Sequence, residues 1–226
     1  MKAVIRKIDR ALKRIYNLDN RCWAERFLVR GPMSTLAARQ AGLQGAIFID
    51  NGPVESSTSP PEDLALAIYL SESICKELAD IRRWRPGSWS TSQMSAFAVA
   101  AEEISHFNYL VHNAVVGRAV SQLELELQGE IDKFLLAFFA LSQTDPSDKR
   151  DHLFQALFQQ LFDHFHWAGH LTEEQKERYA EANQCAQHFL LKFRSELASR
   201  GFDQAFRTLR RFYRLSATEK ISFTRG

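Results

Sequence analysis

The chain has 226 residues, 45% hydrophobic and 25% charged, with a formal net charge of +2. That composition is globular and excludes a disordered or fibrous chain, and a length of this order buries a core without staples. No apolar run approaches the roughly 20 residues of a membrane span, so none is expected.

The first 25 residues are basic and amphipathic, without an apolar block or a small-residue cleavage site, and do not read as a secretory signal. Cys22, Cys75 and Cys185 are odd in number and far apart, with no Cys-x-x-Cys. Reduced thiols and a cytoplasmic protein are the expectation. Charge is segregated along the chain. Residues 1–40 hold ten Lys/Arg against three Asp/Glu, and residues 192–226 hold nine against three. The ends thus carry +7 and +6, and the middle carries −11. Two readings stand: the basic ends fold back on the acidic body, or one end meets nucleic acid, an anionic surface or an acidic protein partner.

In chain order, residues 2–16 predict a helix, with Val4, Ile5, Ile8, Leu12, Ile15 and Tyr16 at helical spacing and Lys/Arg filling the rest. Such a stripe packs on its own domain or lies on a membrane surface. Residues 17–62 are punctuated by Gly31-Pro32, Gly52-Pro53 and Pro60-Pro61. Short β-type runs lie at 27–30 and 44–50, with a third at 64–70 that reads as a strand or as the start of a helix. Two or three antiparallel strands follow from them. Beyond Ser71 the pattern is helical, with helices expected near 71–84, 92–115, 118–142, 150–168, 173–198 and 202–214. Pro86-Gly87, Asp145-Pro146, Gly169 and Gly201 mark the breaks, and Thr172 with Gln175 makes a capping-box pattern. The tail from Ser216 onward is expected to be mobile. The fold class is therefore α+β and mainly α: a basic helix and small antiparallel strands over 1–70, then a five- to six-helix bundle over 71–226.

Segment 92–115 is apolar on two sides, which places it in the middle of the bundle. Glu102, Glu103 and His106 lie on it, and a buried charge needs a partner, a proton or a metal. The next helix carries Glu124, Glu126, Glu130 and Asp132. Glu124 and Glu130 are nearest its apolar face and Glu126 is further round, with Lys133 and Arg118 as available partners. A short connection at Val116-Gly117 makes the two helices antiparallel neighbours. Asp163 and His166 share a face of the fourth helix.

Glu103-Ile-Ser-His106 sets a carboxylate and an imidazole one turn apart, close enough for a single metal. It resembles half of the signature of the ferritin-like di-iron carboxylate bundles, where two helices each give Glu-x-x-His and two others each give Glu. The resemblance implies single carboxylates from Glu124 or Glu130 and from Glu72 or Glu77, with Asp163-x-x-His166 in place of the second pair. Glu102-Glu103-Ile-Ser-His106 also resembles the His-Glu-x-x-His helix of zincin metallopeptidases. That resemblance implies Glu103 as general base, His106 as a zinc ligand, Glu102 where a ligand histidine belongs, and Glu124 or Glu130 as a third ligand. The alternative is an ordinary i, i+4 pair of Glu102 with His106.

The C-terminal segment interleaves Phe202, Phe206, Phe212 and Tyr213 with Arg207, Arg210, Arg211 and Arg214. Those arginines suit nucleic acid or an acidic partner, or a helix clamped to its own domain. Two functions follow from different classes. One is a buried Glu/His site for a divalent metal (iron, manganese or zinc) built on Glu103, His106, Glu124, Glu130, Asp163 and His166. The other is a non-catalytic interaction protein working through its basic ends.

Overall fold

The structure is a computed structural model that describes residues 1–29, 43–50, 65–81, 89–142, 150–163 and 172–225. Its order is α1 (Lys2–Tyr16), a 3-10 turn (Ala24–Arg26), β1 (Gly45–Asp50), β2 (Ala65–Leu70), α2 (Glu72–Asp80), α3 (Thr91–Val115), α4 (Gln122–Ser142), α5 (Arg150–Phe158), a π turn (Gln159–Asp163), α6 (Glu173–Tyr213) and α7 (Ala217–Arg225). The mainly helical α+β expectation is met. No helix among the described residues is long and apolar enough to cross a membrane.

The stripe on α1 explains its placement. Val4, Ile5, Ile8, Leu12, Ile15 and Tyr16 are all buried, so its apolar face is spent inside the protein and not on a membrane. Asp9 is also buried. It accepts from Asn108 Nδ2 of α3 and from the Ala24 amide, both at 3.0 Å, which pins α1 and the 3-10 turn to the central helix. The helix ends at Asn17, whose φ of 52° is tolerated by a short polar side chain.

The run 64–70 is a strand. β1 and β2 pair antiparallel with Gly45 opposite Leu70 and Ile47 opposite Ile68. Of the run at 27–30, the described residues 27–29 form no third antiparallel strand, and residue 30 lies outside the described residues. Leu28 makes one parallel bridge to Ile68, with the Val29 amide 3.0 Å from the Ile68 carbonyl. Ser71 switches the chain from strand to helix, its hydroxyl accepting from the Ile74 amide.

α3 lies against α1, α2, α4 and both strands, as a helix apolar on two sides requires. Ser90 and Gln93 form a capping box at its start. The turn into α4 uses Gly117 at φ 67°. The pairs Tyr109–Glu124, Ser105–Asp132 and Glu102–Lys133 then run in opposite senses along the two helices, so α3 and α4 are antiparallel. Phe134, Phe138, Phe154 and Phe162 fill the space between α4 and α5.

The break expected at Gly201 is present: the two helical segments of α6 on either side of it meet at a kink. Gly201 has φ 76° and ψ −180°, a conformation glycine adopts because it has no Cβ. The bend brings the last turns of α6 onto α1, where Tyr213 stacks on Tyr16 at 4.0 Å. The basic ends therefore meet each other. Arg210 donates to the Ile15 carbonyl (2.8 Å) and Arg214 to the Tyr16 carbonyl (3.1 Å), closing the C-terminus of α1. The tail beyond Ser216 is the helix α7, with Lys220 and Thr224 buried.

Candidate metal centre

Two helices and a strand build the cluster. α3 presents Glu102, Glu103 and His106, and α4 presents Glu126, Glu130 and Lys133. One donor atom each from Glu102, His106 and Glu126 lie within 4.8 Å of one another. His106 Nε2 is 4.0 Å from Glu126 Oε2, and His106 Nδ1 is 3.7 Å from Glu103 Oε2. Lys133 closes the other flank, with its ammonium 2.8 Å from Glu130 and 3.3 Å from Glu102. The Tyr179 phenol of α6 lies beside Glu126 and favours its ionised form, while Glu126 pushes the phenol's own pKa up.

Two glycines make the close packing possible. A Cβ on Gly129, inside α4, would sit 2.8 Å from His106 Nε2. A Cβ on Gly45, at the start of β1, would sit 2.7 Å from Glu103 Cγ and 2.8 Å from its Oε1. The imidazole lies against bare helix backbone, and Glu103 against bare strand backbone.

The electrostatics are those of charge taken out of water. Glu103, His106 and Glu130 are each under 10% exposed. Burial works against ionised Glu102, but Lys133 and His106 outweigh it and hold that carboxyl below its usual range. Burial raises Glu103 and Glu130. It also raises Glu126, to about 7, with Glu102 adding to the effect and His106 opposing it. Burial would lower the His106 pKa, yet Glu103, Glu126 and Glu102 together push it up to about 9. Glu103 Oε2, Glu130 Oε2 and His106 Nε2 are buried with no hydrogen-bond partner. Buried polar atoms are nearly always paired, so three such orphans on two adjacent helices are unusual, and one of them, His106, belongs to the group of three donors within 4.8 Å. The donors are oxygens and one imidazole nitrogen, a set suited to iron, manganese or zinc.

The residues singled out in the sequence fall into three groups. Glu103, His106 and Glu130 are in the cluster, Glu130 held by Lys133. Glu124, two residues before Glu126 on the same helix, is engaged elsewhere. That carboxylate accepts from Arg118 (2.6 Å), from Tyr109 and from the Ser121 amide, which ties down the α3–α4 turn. The Asp163 side chain and the whole of His166 lie outside the described residues. The residues that sequence reasoning left aside or placed elsewhere are Glu126, Lys133 and Tyr179, while Glu102 was singled out as a buried charge and, through the zincin resemblance, at a ligand position. The mid-helix Gly129 is the signal that was there to use, since a glycine inside a helix marks a close approach.

A second buried network lies one turn along. Asp132 accepts from Tyr16, Ser105 and Gln128, and Lys220 of α7 donates to Gln128 Oε1 at 2.9 Å. Its donors and acceptors match, and it reads as structure. Comparison of the chain with protein-family models, curated proteins and solved structures finds no match.

Proposed function

We propose that the cluster is a divalent-metal site with Glu102, His106 and Glu126 as ligands, and Glu103 and Glu130 as flanking carboxylates. The observation that carries this reading is the convergence of three donor atoms within 4.8 Å, one each from Glu102, His106 and Glu126, on a histidine whose Nε2 is buried with no hydrogen-bond partner. Metal–ligand bonds of about 2.0–2.2 Å reach all three with small side-chain adjustments. Three protein ligands leave positions for water or a small substrate, the composition of a reactive site. A carboxylate-rich donor set with no thiolate favours iron or manganese over a structural zinc.

The reading keeps His106, makes Glu103 a flanking carboxylate in place of a ligand, and replaces the rest of the expected ligand set. Lys133 and Tyr179 act from outside it. The ammonium fixes Glu102 and Glu130, and the phenol fixes Glu126, as partners of ligating carboxylates commonly do.

The test is elemental analysis of the full chain, purified without chelator and after incubation with Fe(II), Mn(II) or Zn(II). The wild type is expected to hold about one metal per chain. His106→Ala and Glu126→Ala should lose it with their circular dichroism unchanged, and Glu124→Ala should keep it. A folded wild type that takes up none of the three metals, or a His106→Ala variant that binds as the wild type does, overturns the proposal.

A further inference from the structure

The bend at Gly201 creates a second feature, separate from the metal cluster. The last turns of α6 fold back toward α1 and leave an open cleft of about 890 Å³ between α1, the end of α4, the start of α5 and the second half of α6. That volume lies in the range of small-ligand sites, about 300–1,000 Å³. Six cations line it: Lys7, Arg10, Arg14, Arg150, Arg207 and Arg210. Asp203 is the one acidic residue in the lining among the described residues. The floor is apolar, with Ile15 from α1, Leu136, Phe139 and Ala140 from α4, and Phe206 from α6.

We propose that this cleft binds a single-chain amphipathic anion, an acyl chain on the apolar floor with its carboxylate or phosphate head against the arginines of α1 and α6. Charge complementarity selects an anion. Arg10 and Arg14 are exposed on the cleft face of α1, and no carboxylate pairs with either among the described residues. Arg150 Nε is buried without a hydrogen-bond partner. Part of this cationic rim is therefore unspent, whereas Arg210 already holds α1 carbonyls.

The floor selects an acyl chain over a nucleic acid. Bases bind single-strand grooves by stacking on open aromatic faces. Here Phe139 and Phe206 stack on each other at 5.4 Å, and a guanidinium lies over one face of each of two rings, Arg150 over Phe202 (5.2 Å) and Arg210 over Phe206 (5.7 Å). Apart from the cations, Ser142 and Asp203 are the polar side chains of the lining, too few to read a base edge. Methylenes need neither a free ring face nor a hydrogen bond, only apolar area.

The experiment is calorimetric titration of the full chain with dodecanoate, dodecyl phosphate and dodecyltrimethylammonium below their micellar concentrations. Saturable binding of one or both anions is expected, with the cationic amphiphile at least tenfold weaker. Lengthening the chain by two methylenes should tighten binding about tenfold until the floor is filled. Arg10→Ala/Arg14→Ala should weaken the anions tenfold or more. Ala11→Trp, which fills the cleft from α1, should abolish binding. No saturable binding of either anion, equal affinity for the cationic head, or an undiminished affinity in the double variant overturns the proposal. So does binding of single-stranded oligothymidylate, in place of the amphiphiles, that disappears in the same variants.

Discussion

Gly129→Ala separates a glycine kept for an approaching side chain from one that is merely tolerated. Inside a helix the replacement ordinarily stabilises, by about 1 kcal/mol. Here the new Cβ meets His106 Nε2 at 2.8 Å, Glu102 Cγ at 3.1 Å and His106 Cδ2 at 3.4 Å. The ring has little room to withdraw, since Glu103 stands 3.7 Å from Nδ1 on its other side and the residue is 9% exposed. Overpacking of this kind costs about 1–3 kcal/mol. The sum is a variant between neutral and about 2 kcal/mol less stable. Metal affinity should fall further than stability does, tenfold or more, because the ring that must move carries the ligand atom. Urea unfolding with and without metal, alongside metal titration, reads both quantities. A Gly129→Ala protein that is more stable by the helix-propensity increment and binds metal unchanged would refute the reasoning about His106's position.

Two other predictions concern the ends of the chain. Lys220 is fully buried over the Tyr109 ring at 4.3 Å, and burial pulls its pKa down to about 7 from an unfolded value of 10.5. Between those values the unfolded chain binds the extra proton, so this residue's contribution to stability rises with pH. The wild type should gain on Lys220→Met through that window, by at most about 1.4 kcal/mol per pH unit. A difference between the two urea midpoints that does not change with pH would count against the buried ammonium. Arg210→Ala/Arg214→Ala, which leaves the carbonyls of Ile15 and Tyr16 without their donors, should cost about 1–3 kcal/mol. Arg211→Ala, at an exposed position, should stay within about 0.5 kcal/mol. An equal loss in both would point to surface charge and away from capping of α1.

The helical positions were legible because the punctuation is local. Ser90 and Thr172 cap the helices that follow them, and Gly117 turns the chain, each through bonds within a few residues. What sequence could not give depends on partners distant in the chain. The run at 27–30 offers its backbone to Ile68 in a single parallel bridge, a pairing fixed by how α1 and the 3-10 turn dock on α3 and not by alternation. The tail after Ser216 looks polar, yet it is ordered as a helix because Lys220 finds Gln128 and three aromatic rings inside the bundle.

At the metal cluster the same division holds. Glu103 and His106 stood out because α3 is apolar on two sides. Glu126 did not, because α4 is buried nearly all round, and distance from an apolar face then says little about which neighbour a side chain meets. Glu124 was the nearer carboxylate by that measure, and it is absorbed by Arg118 and Tyr109.

The segregation of charge along the chain acquires a spatial meaning. The acidic middle does not simply receive the basic ends. Four of its carboxylates, Glu102, Glu103, Glu126 and Glu130, gather with one imidazole and one ammonium between α3 and α4, where burial favours protons on Glu103, Glu126 and Glu130. The basic ends clasp each other through guanidinium–carbonyl bonds, which satisfy donors without neutralising them, and so leave a surplus of positive charge beside the second half of α4. Residues 126–130 and 136–140 are separated by about 15 Å along the helix axis. On the two proposals above, a cation completes the first cluster and an anion the second, opposite ligands on one helix.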